Sequence, residues 1–250
     1  GSGASGDNLA CSRRTCSLYS GEGIQVAVTG HPYWSDGSFS ELASTSDHAQ
    51  AVATAYRHLG SDLLQHLHGS FAIAILEPGA ERAFIAVDRL GTHPLAFSAT
   101  NNNLILASRA DAILAHPDIS QALDPQGLFN YLYFHMVPSP GSIYRDIGKL
   151  LPGECLSYDT GTVNRSFYWQ PEYLEPNVQE EQLSSELRSL LEKSVANCLA
   201  DESTGAFLSG GLDSSTVTGM LAKLCGSKAN AYGIGFDAKG YDEMEYARAS

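Results

Sequence analysis

Residues 206–217, AFLSGGLDSSTV, decide the fold of the C-terminal part of the chain. The stretch places two adjacent glycines, one aspartate and three serines between a short apolar run and a segment with helical periodicity. Glycine permits positive φ, and backbone N–H groups at the amino end of a helix attract anions. The sequence therefore predicts a strand, a phosphate-binding turn and a helix in that order.

Three kinds of group occur in this turn. Gly210 and Gly211 allow the backbone to approach a ligand closely. The hydroxyl donors for phosphate oxygens belong to Ser209, Ser214 and Ser215. The Asp213 carboxylate repels phosphate, so its predicted role is to bind Mg²⁺ that bridges the phosphates. The alternative interpretation is an ordinary glycine turn in which an aspartate or a serine caps the helix.

Helices and strands alternate on both sides of the turn. Strand-like runs at 205–208 and 229–236 precede helical segments at 214–225 and 241–249. A further helix at 183–200 has its apolar residues on one face: Leu183, Leu187, Leu190, Leu191, Val195, Cys198 and Leu199. The order helix, strand, helix, strand, helix predicts the start of an α/β doubly wound parallel sheet.

The first 170 residues have a different pattern. Short β-rich runs bounded by turn residues lie at 24–30, 70–76, 82–88 and 103–108. Residues 157–169 predict a hairpin that turns at Asp159-Thr160-Gly161. Residues 46–60 predict a helix that begins at Ser46 or Asp47 and ends before Gly60. This part of the chain is therefore predicted to be an α+β domain.

The composition shifts along the chain predict its division into domains. A poorly ordered lead-in is expected at 1–23 and the α+β domain at 24–170. A linker rich in proline and acid is expected at 171–182, and the first part of an incomplete second domain at 183–250.

The charge of the chain argues against some partners. The 250 residues carry a formal net charge of −13, and the isoelectric point is near 4.9. No long basic run offsets this charge, so neither nucleic acid nor an anionic membrane is expected as a partner. No apolar run reaches the roughly 18 residues of a membrane span. Five scattered cysteines predict neither a disulfide framework nor a zinc site, which favours a reducing cytoplasm: Cys11, Cys16, Cys155, Cys198 and Cys225.

The heptad SGGLDSS resembles the pyrophosphate-binding loop of the ATP-pyrophosphatases, and its flanks resemble those of the asparagine synthetase family. Further segments similar to that family are HGSFAIAIL (68–76), DRLGTHPLAFS (88–98), 143–159 and 232–249. The resemblance implies an αββα sandwich of the N-terminal-nucleophile-hydrolase type, followed by an ATP-pyrophosphatase domain. It extends from about residue 24 to the end of the chain.

The resemblance also implies a chemistry and a set of site residues. Members of the family use ATP and Mg²⁺ to activate a carboxylate as an acyl-adenylate; pyrophosphate leaves, and an amine then displaces AMP. By the same resemblance Asp213 is a Mg²⁺ ligand, and pyrophosphate is surrounded by Ser209, Gly210, Gly211, Asp213, Ser214 and Ser215. Leu208 is implied at the nucleotide and Ile234 or Gly235 near the adenine, although Leu208 and Ile234 could equally belong to the sheet core. The catalytic residues are expected beyond residue 250.

The first domain of this family normally hydrolyses glutamine, and the residues for that reaction are altered here. Relatives use an N-terminal cysteine whose own α-amine acts as base, whereas residue 1 is glycine. The usual Asn-Gly-Glu of the oxyanion hole aligns with Thr29-Gly30-His31, and the usual Ser-Asp-x-Glu aligns with 46–49, which keeps Asp47 but lacks the glutamate. Thr29, Gly30 and Asp47 are therefore interpreted as a vestigial glutamine pocket in an inactive glutaminase.

The predicted function is an ATP-dependent amide-forming ligase of asparagine synthetase type. Its substrate is a small-molecule or peptide carboxylate. Its amine donor is ammonia or an amine of the substrate itself, as in the β-lactam synthetase and lasso-peptide cyclase branches. A further interpretation is an ordinary asparagine synthetase whose front part is missing from this sequence. A homodimer and a precursor-peptide partner are compatible with this reaction. The alternative from another class is a non-catalytic protein that binds a nucleotide or a partner protein.

Overall fold

The computed structural model describes residues 9, 16–100, 103–173, 178–199, 203–226, 229–237 and 242–250. Most of the predicted lead-in, with Cys11, and four residues of the predicted linker (174–177) lie outside the described residues. The chain divides into two compact units, 1–172 and 173–250, and each is described by itself.

The first unit contains two antiparallel sheets and several helices. The strands within its described residues are β1 (Cys16–Gly21), β2 (Ile24–Trp34), β3 (Leu67–Glu77), β4 (Arg82–Val87), β5 (Ala96–Thr100), β6 (Asn103–Ala107), β7 (Gly148–Lys149), β8 (Glu154–Asp159) and β9 (Thr162–Phe167). The α-helices are α1 (Gly37–Thr45), α2 (His48–Leu59), α3 (Leu63–His66), α4 (Ala110–Ile113) and α5 (Pro125–Phe134). Short 3-10 helices occupy Gly60–Asp62 and Pro78–Ala80.

The larger sheet has six strands in the order β1-β2-β3-β4-β8-β9. On its strand β3, Phe71, Ile73 and Ile75 point to one face, while Ala72 and Ala74 point to the other, and all five are buried. Because both faces of the sheet are covered, β3 needs no polar side. This explains why its sequence is a continuous apolar run rather than an alternating one.

Three apolar clusters define the layers of this unit. One face of the large sheet packs on α2, where Val52 is buried. The other face packs on the second sheet, of order β6-β5-β7, through Phe97 and Leu150. The third cluster joins that sheet to α4 through Ala96 and Ile113. The order of layers is helix, sheet, sheet, helix, which confirms the predicted αββα sandwich.

Several local predictions agree with the structure of this unit. Asp47 is the N-cap of α2 and Gly60 is its C-cap, as the helix signals predicted. The predicted hairpin is formed by β8 and β9, and Thr160 and Gly161 at its turn have positive φ of 44° and 92°. Turn chemistry and caps depend on neighbouring residues only, which is why the sequence reveals them.

Two features of the first unit differ from the sequence predictions. Residues 16–21 form β1 and pair with β2, so the predicted lead-in of residues 1–23 is too long. The short polar run CSLYSG gives little strand signal, and its conformation depends on the neighbouring strand. Cys16 is also disulfide-bonded, and its partner lies outside the described residues. Such a bond requires the approach of two Cβ atoms in space, which scattered cysteine positions in a sequence do not reveal.

The second unit contains α6 (Glu180–Asn197), β10 (Gly205–Phe207), α7 (Leu212–Leu224), β11 (Asn230–Tyr232) and α8 (Met244–Ala249). The two strands are parallel, with Ala206 opposite Ala231. This order and this pairing agree with the predicted start of a doubly wound sheet. The leucine face of α6 is exposed, with 58% of Leu187 and 55% of Leu190 accessible to solvent.

Candidate functional site

The SGGLDSS turn lies at the carboxyl end of β10 and leads directly into α7. The Leu208 N–H donates to the Tyr232 carbonyl over 2.9 Å, so the turn begins where β10 leaves its partner β11. Gly210 has a φ of +83°, whereas Gly211 has a φ of −74° and is the N-cap of α7. Only Gly210 uses the left-handed region that both glycines permit. Ligands of doubly wound sheets bind at this end of the strands.

Gly210 is also in close contact with α8. A Cβ at this position would lie 2.4 Å from the carbonyl carbon of Tyr246 and 2.6 Å from the backbone nitrogen of Ala247. Carbon atoms in contact normally lie about 3.5–4.0 Å apart. The backbone of α8 therefore leaves no room for a side chain at Gly210, and the contact holds the turn against this helix.

The serine hydroxyls of the turn form hydrogen bonds within the second unit. The Oγ atoms of Ser209 and Ser214 are 3.0 Å apart, and the Ser209 N–H donates to Ser214 Oγ over 3.2 Å. The Gly211 N–H donates to Ser209 Oγ over 3.4 Å. The Ser215 hydroxyl donates instead to Ser250 Oγ over 3.2 Å. The structure thus brings Ser209 and Ser214 together, while Ser215 faces the end of α8.

The amino end of α7 has no side-chain cap. The helices α1, α2 and α5 each begin with an aspartate whose carboxylate accepts a backbone N–H: Asp36, Asp47 and Asp124. The N-cap of α7 is Gly211, and no side chain among the described residues makes a capping hydrogen bond there. The first N–H groups of α7, with about half a positive charge from the helix dipole, are therefore available to an anion.

Asp213 lies in the first turn of α7, and its side chain is exposed. Across the described part of the chain, no group of three or more His, Cys, Asp or Glu side chains is arranged to hold a metal ion. Mg²⁺ is usually bound by one or two carboxylates together with phosphate oxygens and water. A single carboxylate beside an anion site fits that arrangement, and Asp213 would be the protein ligand.

The segment predicted to lie near adenine follows β11. Leu208 is half-buried, whereas the side chain of Ile234 is 65% exposed and is not part of a core in the second unit. A Cβ at Gly235 would lie 3.0 Å from Met244 Cγ, so this segment packs on the start of α8. Asp242 Oδ1 accepts the N–H of Met244 over 3.2 Å, which fixes that start. The role of Leu208, Ile234 and Gly235 at a nucleotide stays a prediction.

Thr29 and Gly30 of the predicted vestigial pocket lie on β2. Thr29 is opposite Cys16 of β1. Gly30 has a φ of +97°, and a Cβ there would lie 2.2 Å from the Ser70 carbonyl oxygen and 2.7 Å from His93 Nε2. The imidazole of His93 therefore lies directly against the residue whose N–H is implied in the oxyanion hole.

Asp47, the third residue of the predicted pocket, has a structural partner. Its carboxylate accepts the Gln50 N–H over 2.8 Å and so caps α2. The pKa of the next residue, His48, is lowered by burial, raised by the Asp47 carboxylate and lowered again by His31. His31 and His48 are close enough to interact, so the segments 29–31 and 46–49 share one region of the unit.

Comparison with known families agrees with this geometry. Residues 37–169, more than half of the chain, match the sequence model of the Glutamine amidotransferase domain family. Residues 186–250 match that of the Asparagine synthase family. The chain belongs to the asparagine synthetase family. Its two matches have the order that the SGGLDSS loop and the flanking segments predicted.

Individual members of the family are similar over most of the chain. Asparagine synthetase [glutamine-hydrolyzing] 3 of Bacillus subtilis is 30% identical over 213 residues, which are 82% of this chain and 34% of that protein. Asparagine synthetase [glutamine-hydrolyzing] 1 of the same organism is 27% identical over 208 residues, 82% of this chain and 32% of that protein. The chain thus spans about a third of the length of these two relatives.

Two comparisons are more distant. The amidase chyE of Penicillium rubens is 28% identical over 214 residues, which are 80% of this chain and 31% of that protein. The second is the solved structure of the glutamine phosphoribosylpyrophosphate amidotransferase of B. subtilis. The match covers 90% of this chain and 50% of that chain, with 16% identity and a TM-score of 0.38. A TM-score this low supports no conclusion.

Asp88, in the D-R-x-G-x-x-P-L segment of the family, has a role that the sequence did not reveal. Its side chain is buried, and its carboxylate accepts the N–H groups of Phe71, Leu90 and Thr92 over 2.9–3.1 Å. It thereby fixes the turn 88–92 on β3 and positions His93, the next residue, against Gly30. The available signal was a carboxylate directly after the buried apolar run 83–87.

Proposed function

We propose that this chain is part of an ATP-dependent ligase that joins a carboxylate and an amine as an amide. In the proposed reaction a carboxylate oxygen attacks the α-phosphorus of ATP and pyrophosphate leaves. An amine nitrogen then attacks the acyl carbon and AMP leaves. The observation that carries the proposal is the uncapped amino end of α7 behind the SGGLDSS turn, in a segment that matches the Asparagine synthase family.

The residues of the turn have separate roles in this proposal. The α7 N–H groups and the turn backbone at Gly210 and Gly211 bind the departing pyrophosphate, where negative charge increases in the transition state. The hydroxyls of Ser209 and Ser214, which bond to each other in this structure, turn toward phosphate oxygens. Asp213 holds Mg²⁺, which neutralises phosphate charge.

The amine in this proposal does not come from glutamine. Thr29 lacks the carboxamide donor of the family's oxyanion hole, and one missing donor of this kind costs about 10²–10³ in rate. The His93 ring lies against Gly30, and the Asp47 carboxylate caps α2. Free ammonia is the first candidate amine, and the proposed use of ATP favours the cytoplasm as the location. In the described part of the chain, no helix has the length and apolar character of a membrane span.

The altered glutamine pocket favours a second version of the same chemistry. An amine on the substrate itself removes the need for any external nitrogen source. That version describes a β-lactam synthetase or a lasso-peptide cyclase, with a β-amino acid or a precursor peptide as substrate. It shares the adenylation step and differs only in the second step.

Pyrophosphate release by the full-length protein tests the proposal. We expect release from ATP that depends on Mg²⁺ and on one carboxylate of a panel containing aspartate, β-amino acids and a precursor peptide. Ammonium should support product formation when the substrate has no internal amine, and glutamine should not. Absence of release with every carboxylate would contradict the ligase proposal and favour a protein that only binds nucleotide.

A pair of variants tests the site itself. Asp213→Asn removes the metal-binding charge and should reduce pyrophosphate release at least about 100-fold. Glu186→Gln changes an exposed carboxylate on α6 of the same unit and should leave the rate unchanged. Equal rates for the two variants would refute the metal role of Asp213.

A further inference from the structure

A groove on the first unit contains neither the SGGLDSS turn nor the residues of the vestigial pocket. It lies between β5, the segment 140–148 and the side chain of Arg165 on β9, and it is open to solvent. Its volume of about 430 Å³ falls within the range of about 300–1,000 Å³ that is typical of small-molecule sites. The groove is therefore large enough for a small metabolite.

Four charged side chains line this groove, and the fold already engages two of them. Arg165 makes hydrogen bonds of 2.6 and 2.8 Å to the buried Glu154 carboxylate and lies over the Phe97 ring at 5.3 Å. Asp124 accepts the Gly127 N–H over 2.9 Å at the start of α5. These two side chains line the groove, but each already forms hydrogen bonds with another group of the protein.

The other two charged side chains, Arg145 and Asp146, are adjacent in the same turn. Arg145 Nε donates to the Leu123 carbonyl over 3.0 Å, which orients the guanidinium, while its Nη groups have no hydrogen-bond partner among the described residues. The Asp146 carboxylate likewise has no partner in the described part of the chain. Thr100 is also among the lining residues, and its hydroxyl is buried and has no hydrogen-bond partner among the described residues.

We propose that this groove binds a free α-amino acid as a zwitterion. One available cation beside one available anion matches one carboxylate and one ammonium. The Arg145 guanidinium binds the carboxylate through two N–H groups, and Asp146 accepts from the ammonium. The Phe97 ring provides apolar contact. A phosphorylated ligand requires more positive charge than Arg145 alone supplies.

Calorimetric titration of the full-length protein tests this proposal with three related ligands. Serine has both charges, N-acetylserine lacks the ammonium, and ethanolamine lacks the carboxylate. Serine should bind at least about tenfold more tightly than either analogue. In Asp146→Asn the preference for serine over N-acetylserine should disappear. In Arg145→Gln the affinity for serine should fall at least about tenfold.

The controls use an ion pair outside the groove. Arg109 and Asp111 form an exposed pair at 2.7 Å, and Arg109→Gln and Asp111→Asn should leave the affinity unchanged. Thr100→Val keeps the side-chain shape and removes a buried hydroxyl that has no partner among the described residues, so it should raise the melting temperature and leave the affinity for serine unchanged. Acetate or inorganic phosphate binding as tightly as serine, equal losses in the control variants, or no heat at about 10 mM ligand would each overturn the proposal.

Discussion

Gly210 combines a left-handed backbone conformation, which strains any other residue, with a close approach of α8, which leaves no room for a side chain. The backbone conformation is a property of the turn, whereas the approach of Tyr246 and Ala247 belongs to the packing of the second unit. Asp88 shows the opposite case at the scale of one residue. There a single buried carboxylate replaces several backbone acceptors and holds a turn in place.

Replacement of Gly210 by alanine should disrupt the candidate site. The positive φ costs about 1–3 kcal/mol for a non-glycine residue, and the added Cβ forces the turn away from α8. We expect loss of nucleotide binding and a lower free energy of unfolding, measured by calorimetry and by denaturant titration.

A matched glycine in the same unit provides the control. Gly219 is inside α7, and no atom among the described residues lies within 4 Å of a Cβ placed there. Gly219→Ala should stabilise the helix by about 0.5–1 kcal/mol and leave nucleotide binding intact. A similar loss of nucleotide binding in both variants would show that the contact between Gly210 and α8 is not required for that binding.

Replacement of Asp88 by alanine should strongly destabilise the first unit. The buried N–H of Phe71 would lose its carboxylate acceptor, and the turn 88–92 would lose the hydrogen bond from the Thr92 N–H to the same carboxylate. We expect the free energy of unfolding to fall by at least about 3 kcal/mol in denaturant titration. Asp111→Ala, which removes an exposed carboxylate, should change it little. A small effect of Asp88→Ala would contradict the structural role of the carboxylate.

At the scale of secondary-structure elements, the helix starts divide into two classes. The helices α1, α2 and α5 are capped by aspartates. The helices α3, α4, α6, α7 and α8 begin without a side-chain capping hydrogen bond, and of these α7 has a glycine as its N-cap. The capped starts serve the stability of the sandwich. Helix α2 has a further property, because His48 follows its cap and is half-buried near His31.

The start of α2 should make the stability of the first unit sensitive to pH. Burial holds the pKa of His48 below its ordinary value of 6.5, so the unfolded chain binds this proton more readily than the folded one. Stability therefore falls as the pH decreases below 6.5 and is unaffected by this group above it. His48→Gln should reduce the slope of the free energy of unfolding against pH in that window.

The capping residue supplies the control for this pH effect. Asp47→Asn keeps a side chain that can cap α2 but removes the carboxylate that raises the pKa of His48. The pKa of His48 should fall further, and the decrease in stability on acidification should extend to lower pH. An unchanged pH profile in both variants would exclude His48 as its source.

At the scale of the whole molecule, the net charge of −13 should determine how stability depends on salt. Negative charges repel one another in the compact state, and salt reduces that repulsion. The melting temperature at pH 7 should therefore rise as ionic strength increases from about 0.01 to 0.15 M. At pH 4.9, near the isoelectric point, the same change in salt should have little effect. An equal salt effect at both pH values would contradict this explanation.

The sequence by itself determined the local structure and the family. Helix caps at Asp47 and Gly60, the hairpin turn at Thr160-Gly161 and the strand–turn–helix at AFLSGGLDSSTV all follow from the conformational preferences of adjacent residues. The apolar runs likewise predicted the buried strands of the sandwich. These features depend on interactions within a few residues, which is why a single sequence reveals them.

Only the tertiary structure decided which distant residues meet. It brought His93 close to Gly30 and Tyr246 close to Gly210. It also placed the Asp88 carboxylate where it accepts the N–H of Phe71. In the folded unit, residues 16–21 pair with β2 as a strand, and distant segments come together to form the groove beside Arg145. Each of these contacts depends on how strands and helices pack across long separations in sequence. The free energy of that packing is distributed over the whole unit, and no local pattern encodes it.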